Sequence, residues 1–224
     1  MRESQRKITR HHEVDGVRAW IAQRLECGGA GLASAAVAVW AARAWHCVSA
    51  ELRNAPATDE AEELDLVNAL PKAVSWLLDG GAGSSDDVAA VEVVLDHDEG
   101  LGGSDLSSLD EVAVVVSMAV RCVRGSDEED LVPQVMDQLR HIKGSICEAH
   151  LFESTRPLVS PVHNHVLLVL DHLEIWRCAL DIQELITVTD GRSVRNVDVA
   201  VLARRLVGFE ASVSDRPQLC VEED

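Results

Sequence analysis

What most constrains the fold is punctuation. Glycine, proline and serine–acid pairs cut this chain into helix-length segments, and within them apolar residues recur at three and four rather than at two. Val14, Val17, Trp20, Ile21 and Leu25 form one such face, and Gly28 and Gly29 end it. A second helix is expected from Leu32 to about Arg53. Its many alanines allow a neighbouring helix to approach closely, and Pro56 bars its continuation. Asp59 followed by Glu62 supplies side-chain oxygens to free amides and negative charge to the positive end of a helix dipole, so a third helix is expected through Trp76 to Leu78, with Pro71 as the place for a kink.

The tract from Gly80 to Ser85 reads as a flexible joint, after which Ser85 or Asp86 caps a short segment ending at Leu95; a second joint spans Gly100 to Ser107. Ser108 with Glu111, and Ser126 with Glu129, have the spacing of capping boxes. The Val-rich run from Val112 to Val123 suits a strand by its β-branching, but its length and the interruption at Ser117, Met118 and Ala119 favour a helix. Pro133 falls in the first turn of a helix reaching about Leu151, Ser160 and Pro161 open another to about Leu185, and Ser193 caps a last one through Val207. The expected fold is all-α: a single-domain helical bundle of about seven or eight helices, spanning 13–213, with room for a subdomain joint at 79–107. A basic arm (1–12), expected to be flexible, precedes it and an acidic tail (214–224) follows.

With 224 residues, 47 % of them apolar and 26 % charged, the chain can bury a core; it is too apolar for wholesale disorder and too regularly interrupted by charge for a membrane bundle. The uncharged run Ala30–Ala42 lies behind a basic start, but it is too short to span a bilayer and Glu13, Asp15 and Glu26 break the leader pattern. It reads as a buried Ala-rich helix, with no membrane association expected. Six scattered cysteines without a Cys-x-x-Cys pair read as free thiols in a reducing, cytoplasmic setting, with no metal or other cofactor.

The balance of 20 basic against 38 acidic residues, a formal −18, argues against direct nucleic-acid binding, which requires Lys or Arg opposite each phosphate. Residues 54–130 hold 3 basic and 19 acidic residues, a net −16. An acidic block of this density steers a basic partner. The chain therefore reads as a non-enzymatic interaction, inhibitor or regulatory protein that docks onto a basic macromolecular surface, in particular a basic protein. The expected contact residues are Asp59, Glu60, Glu62, Glu63 and Asp65, with Asp127, Glu128, Glu129 and Asp130 as a second cluster.

Other patterns compete less well. Gly29, Gly31 and Ser34 have the spacing of a dinucleotide loop, but an amphipathic helix rather than a strand precedes them. The oxygen-rich stretch from Asp96 to Asp105 lacks the glycine and the terminal Glu of a calcium loop. The string Leu95-Asp96-His97-Asp98-Glu99-Gly100 resembles a degenerate form of the His-Asp dyad of the HD superfamily, metal-dependent phosphohydrolases that are also all-helical. That resemblance implies a divalent metal on His97 and Asp98, an upstream histidine for which His46 is nearest, and Asp137 or Asp171 as the last ligand, activating water for attack on a phosphate ester. Asp96 and Glu99 stand where the family has apolar residues.

His141, His150, His163, His165 and His172 lie on the two long helices of the last third, and a site from His150, Asp171 and His172 can be drawn, although core or interface histidines explain them more simply. The string His163-Asn164-His165 opens a helix and is not the separated ligand set of an HNH nuclease. No serine sits in a nucleophile elbow. Trp20, Trp40, Trp45, Trp76 and Trp176 are expected in the core.

Overall fold

The computed structural model describes the backbone of residues 2–52, 61–101, 107–126, 131–154 and 160–188, and side chains within 14–49, 63–101, 107–126, 131–142 and 173–187. Among the described residues there are six helices and no strand: α1 (Arg2–Leu52), α2 (Ala61–Leu78), α3 (Ser85–Gly100), α4 (Ser108–Val123), α5 (Leu131–Ser154) and α6 (Ser160–Val188). The fold is all-α, and the Val-rich run is α4. The helix expected from Ser193 and the acidic tail lie outside the described residues; the basic arm expected to be flexible is, from Arg2 on, the first part of α1, without described side chains.

α1 is broken where the sequence breaks it. Gly29 has φ 73° and ψ −179°, a conformation open essentially to glycine alone, so the ladder is interrupted between the amphipathic first part and the Ala-rich second part. Beyond the break, every residue from Ala35 to Ala44 is buried, round the whole circumference of the helix. A helix apolar on all sides must be enclosed, and α1 packs against α2, α4, α5 and α6. By length and composition α1 is apolar enough over Val14–Ser49 to cross a membrane; 56 % of its most apolar window is buried inside the fold. The alanines keep the surrounding helices close, and Trp40, Leu66, Leu70, Leu77, Leu139 and Ile142 fill the space between them.

α3 lies outside this ring of neighbours, and α6 closes only one side of it. α3 packs on α2 and α4 alone among the described elements, and α6 on α1 and α5. The tract between α2 and α3 is a turn with defined hydrogen bonds: Gly80 and Gly81 have φ of 66° and 84°, and the Gly81 N–H donates to the Trp76 carbonyl at 3.0 Å. Pro71 sits on the exposed side of α2.

One charged group lies in the buried wall of α1. The Arg43 guanidinium, 6 % exposed, donates from Nη1 to Glu174 Oε1 at 3.1 Å and from Nη2 to Asp181 Oδ2, while Trp40 Nε1 donates to the same Asp181 oxygen at 2.9 Å. Burial opposes the charge on Arg43, but the Asp181 and Glu174 carboxylates outweigh it and hold its proton more tightly than usual. Burial also pushes the Asp181 carboxyl up, against the pull of Arg43 and Trp40.

Two stability measurements check this account. Arg43→Met, which strands two buried carboxylates, is expected to cost about 3–5 kcal/mol in urea unfolding, and adding Glu174→Met and Asp181→Leu is expected to recover much of that loss. Gly29→Ala is expected to cost about 1–3 kcal/mol, because the break requires a backbone conformation that a Cβ disfavours.

Candidate interaction surface

α3 is built by its ends. Its cap is Ser84: the Asp87 N–H donates to Ser84 Oγ at 3.3 Å, and the Ser84 N–H donates back to the Asp87 carboxylate at 2.9 Å. The Ser84 backbone and hydroxyl hold the Asp87 carboxyl below the ordinary carboxylate range. α4 repeats the device with Ser107 and Asp110, at 3.2 and 2.9 Å. Both boxes stand one residue before the positions expected from sequence, where Ser85 or Asp86 and the pair Ser108 and Glu111 were the choices. Ser84 has an acid, Asp87, three residues on, where Ser85 has Val88; before α4 the pairs Ser107–Asp110 and Ser108–Glu111 have the same spacing, and the first is the one used.

Freed from capping, the Glu111 side chain turns inward, where Oε1 lies 3.0 Å from His141 Nε2 and Oε2 is buried without a hydrogen-bond partner. Burial pushes the Glu111 carboxyl up, His141 pulls it back, and the adjacent Asp110 charge adds to the rise. Partial burial alone would also raise Asp110, but Ser107 and His97 outweigh it and hold that carboxyl down.

His97 and Asp98, the residues of the HD-like string, are engaged with α4. His97 Nε2 lies 2.8 Å from Asp110 Oδ1; Asp98 Oδ2 accepts from Ser117 Oγ at 2.8 Å and from Arg121 Nη2 at 3.0 Å. These bonds pin the end of α3 to α4. Asp137, a proposed last ligand, pairs instead with Arg18 of α1, and His46 is exposed on α1. No group of three or more His, Cys, Asp or Glu placed to hold a metal ion occurs among the described residues. His150, Asp171 and His172 have no described side chains.

The outer side of α3 is an acidic ridge. Ala90, Val91 and Val94 face the core. Glu92, Asp96 and Glu99, spaced at four and three, run along the exposed side, flanked by Val88 and Val93, which are 41 % and 40 % exposed. Glu92 is paired with Arg124 at 2.7 Å; Asp96 and Glu99 have no ion-pair partner among the described residues. The six-residue turn makes α2 and α3 a hairpin, so the start of α2 lies at the same end as the last turns of α3. There Asp65 is exposed, Glu63 half-buried and Leu64 52 % exposed.

Of the residues singled out from sequence, Asp59, Glu60 and the cluster Asp127, Glu128, Glu129 and Asp130 lie outside the described residues, and Glu62 lies in α2 without a described side chain. Asp86, Asp96 and Glu99 were not among the expected contact residues: the segment expected to end at Leu95 runs on as helix to Gly100 and carries Asp96 and Glu99 with it. Among the tryptophans, Trp40 and Trp76 are buried and Trp20 and Trp45 half-buried, but Trp176 is 51 % exposed and is not a core residue.

Ser107→Ala is expected to cost about 1 kcal/mol of stability at neutral pH, measured by thermal or urea unfolding. The pH dependence has two opposed parts. The contributions of Asp87 and Asp110, whose carboxyls are lowered on folding, are present above the ordinary carboxylate range and lost as pH falls through the lowered values. Glu111, raised on folding, acts in the opposite sense, so Glu111→Gln is expected to match or exceed the parent at neutral pH and to lose that advantage as pH falls through the raised value.

No protein-family model, no curated protein and no solved structure matches this chain.

Proposed function

We propose that this chain is a single-domain bundle of seven or eight helices that acts without catalysis, as an interaction, inhibitor or regulatory protein, by docking the acidic face of its α2–α3 hairpin onto a basic protein surface. The observation that supports this reading is the outer ridge of α3. It combines carboxylates at Asp96 and Glu99, which no described cation neutralises, with exposed Val88 and Val93 beside them. Opposite charge gives fast, steered association, and the apolar side chains slow dissociation once water is displaced. Asp65, exposed at the same end of the hairpin, and the half-buried Glu63 are included in the proposed contact, and Glu62 is included from its place in the sequence. The cluster Asp127–Asp130, which precedes α5, is the second part of the proposed contact.

Affinity capture with the purified chain at low and raised salt, in parallel with an Asp65→Asn, Asp96→Asn, Glu99→Gln variant, tests this. Partners held by the parent are expected to be released steeply as ionic strength passes about 0.1 M, where screening acts within about 10 Å. The variant, with unchanged helical content and melting, is expected to retain few of them even at low salt. Capture that is indifferent to salt, or equal for parent and variant, would exclude the acidic ridge as the docking surface.

A further inference from the structure

The inner face of α6 is fixed by its contacts with α1 and α5. Glu174, Ile175, Cys178, Asp181, Ile182 and Leu185 are buried there. The opposite face is not polar. Leu173, Trp176 and Leu180 stand 60 %, 51 % and 60 % exposed, and with Val166 and Val169 their positions alternate at three and four along the helix. That is the 3.5-residue period of a helix that pairs with another helix, with Leu173 and Leu180 at the first core position of the heptad and Trp176 at the second. An ordinary outward face would be polar.

The edges of this stripe say what pairs with it. Arg177 and Glu184 both occupy the position flanking the seam on the same side. The Arg177 side chain, 47 % exposed, reaches Asp181 of its own helix at 3.8 Å, and Glu184 is exposed. A basic partner helix would meet Arg177 and an acidic one Glu184. An antiparallel copy of α6 matches both, because in antiparallel pairs this edge faces itself and side chains lean toward their own N-termini. It sets Arg177 opposite the second copy's Glu184, twice by symmetry, with Trp176 against the second copy's Leu180. A parallel copy would set these charges opposite His172 and Ala179 instead.

We infer that the exposed α6 stripe is the interface of an antiparallel, two-fold homodimer. Its three exposed side chains offer on the order of 300 Å² of apolar surface per protomer, at the level of a functional patch, whereas a standard interface takes about 800 Å². The dimer is therefore expected to be weak, with a dissociation constant in the micromolar range. The inference is independent of the proposed acidic docking face, since α3 packs on α2 and α4 and has no contact with α6.

Sedimentation equilibrium of the full chain over a wide concentration range tests it. The parent is expected to pass from monomer to dimer. Leu180→Glu is expected to be monomeric throughout, and Glu184→Arg, a change at an exposed site, is expected to raise the dissociation constant about tenfold. Arg177→Glu combined with Glu184→Arg is expected to restore association, with unfolding curves confirming that each variant remains folded. A parent that stays monomeric at every concentration would overturn the inference, with the stripe then assigned to another segment of the chain or to a different partner. So would a dimer unaffected by Leu180→Glu and Glu184→Arg, and a doubly swapped chain no tighter than Glu184→Arg would overturn the antiparallel pairing.

Discussion

The Arg43 guanidinium sits in a wall of alanine and valine on the helix against which α2, α4, α5 and α6 pack, and its charge is answered from outside that helix. It is almost wholly buried, so its donors need acceptors inside the protein, and carboxylates within hydrogen-bond distance answer the charge as well. Glu174 and Asp181 on α6 meet this requirement, with the Trp40 indole completing the shell of Asp181. An apolar seam between α1 and α6 would tolerate sliding by a turn. An ion network with two carboxylates spaced seven residues apart does not, so the charges specify the register of the two helices.

That register decides what α6 shows to solvent. With Glu174, Cys178 and Asp181 turned toward α1, helical geometry leaves Leu173, Trp176 and Leu180 on the far side. The exposed stripe thus lies on the side of α6 opposite the buried network. α3 has the same division with other chemistry. His97 and Asp98 anchor it to α4 through Asp110, Ser117 and Arg121, Val91 and Val94 close the core, and its remaining carboxylates are left along the outside.

Much of the fold could be read directly from residue order. The break at Gly29, the ends of α2 and α4, the start of α6 at Ser160 and the helical state of the Val-rich run all follow from local preferences that packing does not reverse. At the start of α4, capping was legible as a device but not as a position. Ser107 with Asp110 and Ser108 with Glu111 satisfy the same local rule, which does not choose between them, whereas Ser84 is favoured over Ser85 locally, because Asp87 stands three residues after it and Val88 three after Ser85. The proposed docking surface was legible in its charge and not in its placement. The net −16 of residues 54–130 is a property of the sequence, whereas the isolation of Asp96 and Glu99 and the neutralisation of Glu92 by Arg124 depend on contacts between helices.

The order of residues by itself determined that the chain is helical, where most of its helices break, and that its middle third repels anions. Only the tertiary structure decided which of two apolar faces of α6 is buried, that Trp176 is exposed, and that His97 and Asp98 brace one helix against the next. The physical reason is that propensity and capping act within a few residues, while burial is settled by whichever neighbour satisfies the most demanding group. Here that group is Arg43, and its partners lie more than a hundred residues away in the chain.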